Sequence, residues 1–552
     1  KTDITSLYFI NVSLLFHTII GLLKNHYSHT LSKPTSPNKP SLDLVAAVDL
    51  GSNSFRLLIS QAYITPSGMQ LRTIDMLREP VRLAAGLSPS KVLDEDAMER
   101  GLNAIRRFGE RLRGFKPEQV RAVATNTFRV ARNAQKFVQE AQIALGFPIE
   151  VIAGVEEARL IYIGTSHEAP AVAGNRLVID VGGGSSEFII GKGYEPKLLE
   201  SLYIGCVSHS MRFFPNGAID SHSFKEAELA ARREVQVIKG RFHKSGWNQV
   251  IGSSGTARAL ADLIADNKLN GHEEKNSQDP TSSGLDGIIT LQGLKGLKRR
   301  LLDFDHIDRV NIINLKDDRR PVLLGGLSIM LAIFDELGIE KMEVSDAALR
   351  VGVLYDLLGR TQHHDMRFVT VEQFMTRYAV DREQAHRLGT LAAEFLAQLP
   401  KPNHESRTDN LSLLGWSANL HEVGLSISHN SYHKHSAYIA ANADMPGFSK
   451  NDQARLAALL IGHTGKLGKL SNNANFSDWR MLFCIRLAHV LCRSRSDENL
   501  PKVRVKSPDS ESFEVQLNQT WADAHPLTEF SLRKEAAEWE RIGYRYSIRL
   551  SE

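Results

Sequence analysis

Two segments of this chain match each other: residues 45–60 (VAAVDLGSNSFRLLIS) and residues 176–191 (RLVIDVGGGSSEFIIG). Each is a short apolar run that ends at an aspartate (Asp49 or Asp180), then a loop of Gly and Ser, then a second apolar run. Two apolar runs separated by a Gly/Ser loop predict a β-hairpin in each segment. Loops of small residues let backbone N–H groups approach a phosphate, and an aspartate supplies a hard oxygen ligand for Mg²⁺. Two copies predict two related domains whose loops face each other across a phosphate-binding cleft.

A third segment, residues 248–258 (NQVIGSSGTAR), places a Gly/Ser turn between an apolar run and a stretch of helical character. A strand, a turn of small residues and a helix start leave free N–H groups and the positive end of a helix dipole where an anion can bind. Any one of these loops, taken alone, is more simply an ordinary tight turn. The three loops together predict phosphate binding.

Four motifs, in this order, resemble the exopolyphosphatase / guanosine pentaphosphate phosphohydrolase family: DLGSNS at 49–54, EEARLIY at 156–162, DVGGGSSE at 180–187 and GSSGT at 252–256. The resemblance runs from residue 44 to near the C-terminus. It implies an α/β fold with two actin-like (ribonuclease H-like) domains, followed by a mostly helical HD-like domain and a small α+β C-terminal domain. It also implies removal of a terminal phosphate from inorganic polyphosphate or from guanosine pentaphosphate.

The chain divides into five segments. Residues 1–43 are predicted to be a disordered, dispensable extension and linker; because residues 7–23 are apolar, a membrane tether or peripheral association with the inner membrane is the alternative. Residues 267–285 are predicted to form a surface loop. Residues 344–359 are predicted either to return to the first domain or to bridge to the helical one. We place the actin-like domains at 44–154 and 155–343, the helical HD-like domain at 344–498 and the C-terminal domain at 499–552.

Charge and cysteine content narrow the function classes. The 552 residues carry a formal net charge of +4, which does not favour nucleic acid as a partner. Three cysteines without metal-ligand spacing fit a reducing cytoplasm. Basic residues cluster locally, either as an ordinary solvated face or as a track for a polyanion. This cluster consists of Lys295, Lys298, Arg299, Arg300, Lys316, Arg319 and Arg320.

Hydrolysis of a phosphoanhydride needs charge neutralisation, an in-line water and a group that orients or deprotonates that water. The family resemblance implies that Glu157 is the catalytic base, although position alone would favour an acidic residue complementing a helix N-terminus. It also implies that Arg129 contacts the phosphates, for which a planar guanidinium is suited.

The three loops supply the remaining candidate ligands. Asp49, Asp180 and Glu187 are the candidate ligands of Mg²⁺, with Mn²⁺ as the alternative. The candidate phosphate donors share small size and a place in a Gly/Ser loop. They are Asn53, Ser54, Gly183, Gly184, Ser185, Ser254, Gly255 and Thr256.

The helical half contains a histidine-rich stretch at residues 419–442. His421–Glu422 aligns with the His-Asp pair of metal-dependent HD phosphohydrolases, with Glu in place of Asp. A second metal site is one interpretation of this pair. The resemblance favours the other, in which the domain has lost its metal and serves binding and architecture. His433 and His435 either assist an anion track or lie in a polar surface loop.

We therefore predict an Mg²⁺-dependent exopolyphosphatase that releases orthophosphate from inorganic polyphosphate. The first alternative is a guanosine pentaphosphate 5′-phosphohydrolase that forms guanosine tetraphosphate. The absence of a P-loop pattern and of a strand followed by G-x-G-x-x-G disfavours P-loop NTPases and Rossmann dehydrogenases. An actin-like sugar or acid kinase and a non-catalytic sensor of polyphosphate or alarmone are the rivals from other classes. A homodimer in the cytoplasm is expected from the resemblance alone.

Overall fold

The computed structural model describes most of the chain from residue 44 onward. The hairpin tip Ala62–Gln70 falls outside the compact unit formed by Leu44–Gln61 and Leu71–Glu552, and the site described below lies within that unit. The predicted extension 1–43 and most of the predicted loop 267–285 lie outside the described residues. The described ranges are 44–65, 68–170, 172–270, 287–346, 348–361, 365–400, 407–471, 476–496, 500 and 502–551.

The first domain is built on a five-stranded sheet in the order β3-β2-β1-β4-β5. β1 and β2 form the predicted hairpin, in which Asp49 pairs with Arg56 and Leu50 with Phe55, so residues 51–54 make the turn. β4 lies parallel to β1 on its other side. The strands are β1 (Leu44–Leu50), β2 (Phe55–Thr65), β3 (Gly68–Glu79), β4 (Val120–Ala124) and β5 (Ile149–Val151), and the helices are α1 (Glu95–Arg111), α2 (Asn126–Val130) and α3 (Ala134–Leu145).

The second domain repeats this plan in a six-stranded sheet of order β10-β11-β9-β6-β7-β8. β6 and β7 form the second predicted hairpin, in which Asp180 pairs with Glu187 and Val181 with Ser186. The strands are β6 (Arg176–Val181), β7 (Ser186–Lys192), β8 (Glu195–Leu202), β9 (Gln249–Gly252), β10 (Ile288–Thr290) and β11 (Lys341–Val344). The helices that cover this sheet are α5 (Cys206–Phe213), α6 (Ser221–Ser245), α7 (Gly255–Asp266), α8 (Leu291–Leu301) and α9 (Arg320–Leu337).

Two helices, α4 (Gly154–Glu168) and α10 (Leu349–Thr361), join the two sheets. Their apolar side chains share one buried cluster with residues of β1, β4, β6 and β7. The two helices pack backbone to backbone, because a Cβ on Gly164 would lie 2.6 Å from the carbonyl oxygen of Ala348 and a Cβ on Gly352 would overlap that of Leu160. α10, which follows the predicted boundary at residue 344, therefore packs in the core between the sheets, and the boundary itself stays a prediction.

The remaining helices form a third core that also contains the C-terminal sheet, of order β12-β13-β14. The predicted boundary between residues 498 and 499 thus does not separate two cores, because Phe513 stacks on Phe483 at 4.0 Å between ring centroids. The elements are α11 (Met366–Arg377), α12 (Arg382–Gln398), α13 (Arg407–Leu420), α14 (Tyr432–Asn442), α15 (Lys450–Gly462), α16 (Gly468–Ser471), α17 (Trp479–Leu491), β12 (Arg504–Lys506), β13 (Ser512–Asn518), α18 (Gln519–Ala524), α19 (Pro526–Glu540) and β14 (Arg545–Ser551).

Within the described part of the chain, we find no helix that combines the length and the apolar character needed to cross a membrane.

The helix crossing makes a prediction about stability. Replacing Gly352 by Ala should destabilise the protein by about 1–3 kcal/mol, because the new methyl group has no room against α4. The matched control is Gly415→Ala in α13, where nothing lies within 4 Å of the added Cβ. Urea unfolding should show a lower midpoint for the first variant and an equal or higher midpoint for the second. Equal midpoints for Gly352→Ala and wild type would contradict the close approach of the two helices.

Candidate active site

The two hairpin turns lie against each other. A Cβ on Gly183 would lie 3.2 Å from the backbone nitrogen of Asn53, and a Cβ on Gly184 would overlap the side-chain amide of Asn126. The absence of side chains at these two positions therefore lets the turns meet. The N–H groups of Gly183 and Gly184 donate to no backbone carbonyl among the described residues, so they remain available to an anion.

The third loop closes the same cavity. Ser253 Oγ donates to Asp180 Oδ2 at 2.9 Å, and Thr256 Oγ1 donates to the carbonyl of Val181 at 2.9 Å. Ser254 caps α7, since its Oγ accepts a hydrogen bond from the backbone N–H of Ala257 at 3.0 Å. These hydroxyls hold the loop to the β6 hairpin, and the N-terminus of α7 points at the cavity, where its dipole favours an anion.

The cavity lining includes most of the predicted site residues. Arg129 and Glu187 are not part of that lining. The cavity is lined by Asp49, Asn53, Ser54, Glu157, Asp180, Gly183, Gly184, Ser185, Ser254, Gly255 and Thr256, together with residues that the sequence analysis did not assign, among them Ser52, Arg56, Thr125, Cys206, Ser253 and Arg319.

Glu157 occupies the first turn of α4, is 8% exposed and reaches the cavity. Arg129 Nη1 donates to Glu157 Oε2 at 2.7 Å and to the carbonyl of Ile152 at 3.1 Å. Burial lowers the pKa of Arg129, but the Glu157 and Glu187 carboxylates outweigh it and the net direction is upward. Arg129 is therefore placed as the partner of Glu157. Its buried Nη2 has no hydrogen-bond partner.

The carboxylates beside the cavity repel one another. Burial raises the pKa of Asp49 to about 6, where Arg350 and Arg56 oppose the rise and Glu157 adds to it. Burial also raises the pKa of Asp180 to about 6, with Glu157 and Asp49 contributing in the same direction. A site that concentrates negative charge in this way is suited to a cation.

Glu187 lies behind this pair. It is 1% exposed and accepts a hydrogen bond from Ser201 Oγ at 2.8 Å. Burial, followed by the charges of Glu157 and Asp180, raises its pKa well above the usual range. Its role as a metal ligand stays a prediction.

The donor set fits Mg²⁺ only in part. In the described ranges, no group of three or more His, Cys, Asp or Glu side chains is arranged to hold a metal ion. Asp49 and Asp180, with their raised pKa values, nevertheless line one cavity with the phosphate loops. Mg²⁺ commonly takes one or two carboxylates and completes its octahedron with water and substrate phosphates. The residues present thus fit an ion that arrives with its substrate rather than an all-protein cage.

Three arginines at this site were not assigned from the sequence. Arg56 and Arg319 line the cavity, and Arg319 had been considered only as part of the basic cluster. Arg350 is 8% exposed, and its Nε and Nη1 have no hydrogen-bond partner. Burial lowers its pKa to about 10, with Arg56 contributing and Asp49 opposing. Arg56 lies two residues after the first Gly/Ser loop, and this proximity was the one sequence signal for it; Arg319 and Arg350 lie far from the loops in sequence.

The rest of the basic cluster is largely engaged elsewhere. Lys298 pairs with Glu228 at 2.7 Å, and Lys295 lies 4.0 Å from Asp335. Arg320 donates to the carbonyl of Val310 at 2.9 Å. Of the seven clustered residues, Arg319 is the one that lines the cavity. The interpretation as a solvated face therefore describes α8 better than a polyanion track does.

Three histidines of the helical half, His421, His463 and His489, lie together in its interior. His421 is fully buried, and its ring centroid lies 5.6 Å from that of His463 and 6.2 Å from that of His489. Burial lowers the pKa of all three. Glu422 forms an ion pair with Arg495, so its carboxylate is neutralised by a protein side chain. His433 is part-buried and its ring lies 6.3 Å from that of His463.

Two family models match consecutive parts of the chain. Residues 64–361 match the Ppx/GppA phosphatase family, and residues 366–536 match Ppx/GppA phosphatase, domain III. This chain belongs to the Ppx/GppA phosphatase family. A protein of Pseudoalteromonas translucida (strain TAC 125) named guanosine-5′-triphosphate,3′-diphosphate pyrophosphatase is 36% identical over 515 residues, which are 92% of this chain and 99% of that relative.

Two solved structures are similar to this chain. An exopolyphosphatase from Cytophaga hutchinsonii has a TM-score of 0.50 and 24% identity, and the match covers 58% of this chain and 98% of that one. The Aquifex aeolicus member of the Ppx/GppA family has a TM-score of 0.47 and 26% identity, covering 58% and 99%.

The family assignment decides several predictions. The resemblance is confirmed, as is the actin-like fold with two mixed α/β sheets and a helical C-terminal region. The protein is a hydrolase of phosphoanhydride bonds. The HD-like character of the helical region stays a prediction.

The raised pKa values predict a pH dependence of stability without metal. An acid whose pKa is higher in the folded state than its unfolded value near 3.8 costs stability as pH rises from about 4 through 6. Asp49→Asn should therefore raise the Tm in excess chelator at pH 7.5 and leave it unchanged at pH 4. The control is Glu226→Gln, which removes an exposed carboxylate. A Tm gain for Asp49→Asn that is equal at both pH values would show that charge at Asp49 is not its cause.

Proposed function

We propose that this protein hydrolyses the 5′-terminal phosphate of guanosine pentaphosphate, forming guanosine tetraphosphate and orthophosphate. The observation that carries the chemistry is the placement of Glu157, held by Arg129, in one cavity with the three Gly/Ser loops. The choice of substrate is supported by the 36% identical relative, which this chain covers over 99% of its length.

The terminal phosphate would lie between the two hairpin turns. The free N–H groups of Gly183 and Gly184 and the N-terminus of α7 would donate to its oxygens. The guanidinium groups of Arg56 and Arg319 would neutralise charge on the departing side. Asp49 and Asp180 would hold Mg²⁺, or Mn²⁺, with Glu187 behind them. When bound, the metal ion neutralises charge that develops on the phosphate oxygens.

Glu157 would act on the attacking water. Its carboxylate accepts a proton as the water oxygen bonds to the terminal phosphorus and the bond from phosphorus to the bridging oxygen breaks. The bridging oxygen leaves with the shortened substrate, and the terminal group leaves as orthophosphate. Arg129 keeps the Glu157 carboxylate in place at 2.7 Å.

Inorganic polyphosphate, the first expectation from the sequence, is the second candidate substrate. The phosphate loops would serve both substrates equally, and one structural relative is an exopolyphosphatase. The ion pairs of Lys295 and Lys298 weaken the case for a long polyanion track along α8. Homodimerisation, a cytoplasmic location and peripheral membrane association stay predictions.

The substrate choice is tested by orthophosphate release from guanosine pentaphosphate and from long-chain polyphosphate, measured with the full chain in Mg²⁺. We expect a higher kcat/KM for guanosine pentaphosphate. Release from polyphosphate alone would replace the first candidate by the second. Release from neither substrate would contradict both.

The base assignment predicts the kinetics of Glu157→Gln. The substitution keeps the shape and removes the basicity, so kcat should fall by roughly 10²–10⁴-fold while KM changes little. Glu99→Gln, which alters an exposed carboxylate on α1, is the control and should keep the wild-type kcat. A near-normal kcat for Glu157→Gln would remove this residue from the mechanism.

A further inference from the structure

A set of six charged side chains, three buried and three part-buried, lies behind the catalytic helix. Its three cations and three anions balance. Although burial raises the pKa of Glu150, the charges of Arg121 and Arg360 lower it to about 2. The set connects β4, β5, α4 and α10 and consists of Arg121, Arg159, Arg360, Glu150, Glu156 and Asp356.

Glu156, the neighbour of the catalytic base in sequence, is one of two members of this set that reach the helical domain. It is 1% exposed, and Arg159 Nε donates to its Oε2 at 2.7 Å. The same oxygen accepts a hydrogen bond from the backbone N–H of Gly447 at 2.7 Å. Arg360 adds a second link, because its Nη2 donates to the carbonyl of Gly447 at 3.3 Å.

The loop that carries Gly447, residues 443–449, is fixed in the helical domain on its other side. Phe448 is fully buried there and packs on Trp416 at 4.9 Å between ring centroids. Thr370 Oγ1 donates to the carbonyl of Pro446 at 2.6 Å. A shift of the helical domain would therefore move the backbone N–H of Gly447, which donates its hydrogen bond to Glu156.

The same loop meets the other support of the catalytic base. Ser449 pairs with Ile152 in an antiparallel bridge. The carbonyl of Ile152 accepts a hydrogen bond from Arg129 Nη1, the atom that holds Glu157. Two routes, one through Glu156 and one through Ile152, thus link this loop to the carboxylate of Glu157.

We propose that the loop 443–449 of the helical domain sets the position of the general base, with Glu156 as its positioning residue. This inference rests on the proposed function, in which Glu157 activates water. The helical domain would then control turnover directly, without itself contacting the phosphate that is removed.

Gly447 allows a test with a matched control. It has φ +90°, and a Cβ there would lie 2.9 Å from the backbone nitrogen of Arg367, so Gly447→Ala must displace the loop. Gly543 has the same φ of +90° and open space around the added Cβ. Gly543→Ala therefore carries the same backbone strain in the C-terminal segment without touching the loop.

We expect Gly447→Ala to lower kcat by roughly 10- to 100-fold with a KM change under about threefold, since small misplacements of a catalytic group act on turnover. Gly543→Ala should keep the wild-type kcat at a similar loss of Tm. An active wild type in which both variants retain kcat would overturn the inference. A wild type that releases no orthophosphate would contradict the proposed function instead.

Glu156→Gln provides a second test of the inference if Gly447→Ala does not fold. It should also lower kcat with little change in KM, and hydrogen exchange at residues 445–449 should be faster than in wild type. If both single variants fold, their losses in kcat should not add in the double variant, because they weaken one contact. Unchanged kcat in Glu156→Gln, or fully additive losses, would contradict the positioning role.

Discussion

The close packing of α4 on α10 is the constraint on which the site depends. Gly164 and Gly352 let the two helices approach backbone to backbone, and the helices join the two sheets into one buried core. That packing fixes the distance between the two hairpins. As a result, Gly183 lies against Asn53, and the two turns form one cavity. A side chain at any of these glycines would have no room against the neighbouring element.

The cavity is electrostatically unbalanced in a way that favours ligand binding over stability. Asp49 and Asp180 carry raised pKa values beside Glu157. Arg350 lies close by with two unpaired nitrogen atoms. Buried charge without a partner costs free energy that a bound phosphate and cation can recover. The balanced set around Asp356 behind α4 shows the opposite arrangement, in which every charge has a partner.

Local signals in the sequence were sufficient for the hairpins. The apolar runs and Gly/Ser loops placed the turns correctly at residues 51–54, and the register of Asp180 with Glu187 follows from the same pattern. The family motifs made Glu157 the candidate base, whereas its position alone suggested only an acidic residue at a helix N-terminus. These features are encoded within ten or so neighbouring residues, where periodicity and turn chemistry are readable.

Contacts between distant segments could not be read in this way. Arg319 and Arg350 reach the site only through the packing of α9 and α10, so nothing near them in sequence marks a phosphate site. The sequence left open which domain residues 344–359 join, because α10 has the apolar pattern of any core helix and that pattern does not say which core the helix enters. The bond from Gly447 to Glu156 joins residues 291 positions apart.

The central claim is that water, aligned by Glu157, attacks the terminal phosphorus in the cavity between the hairpins. The most direct test is turnover of guanosine pentaphosphate in water enriched in ¹⁸O, followed by mass spectrometry of both products. Attack at the terminal phosphorus places one ¹⁸O in the released orthophosphate and none in guanosine tetraphosphate. Label in the guanosine tetraphosphate, or transfer of the phosphate to another acceptor without label, would contradict the claim.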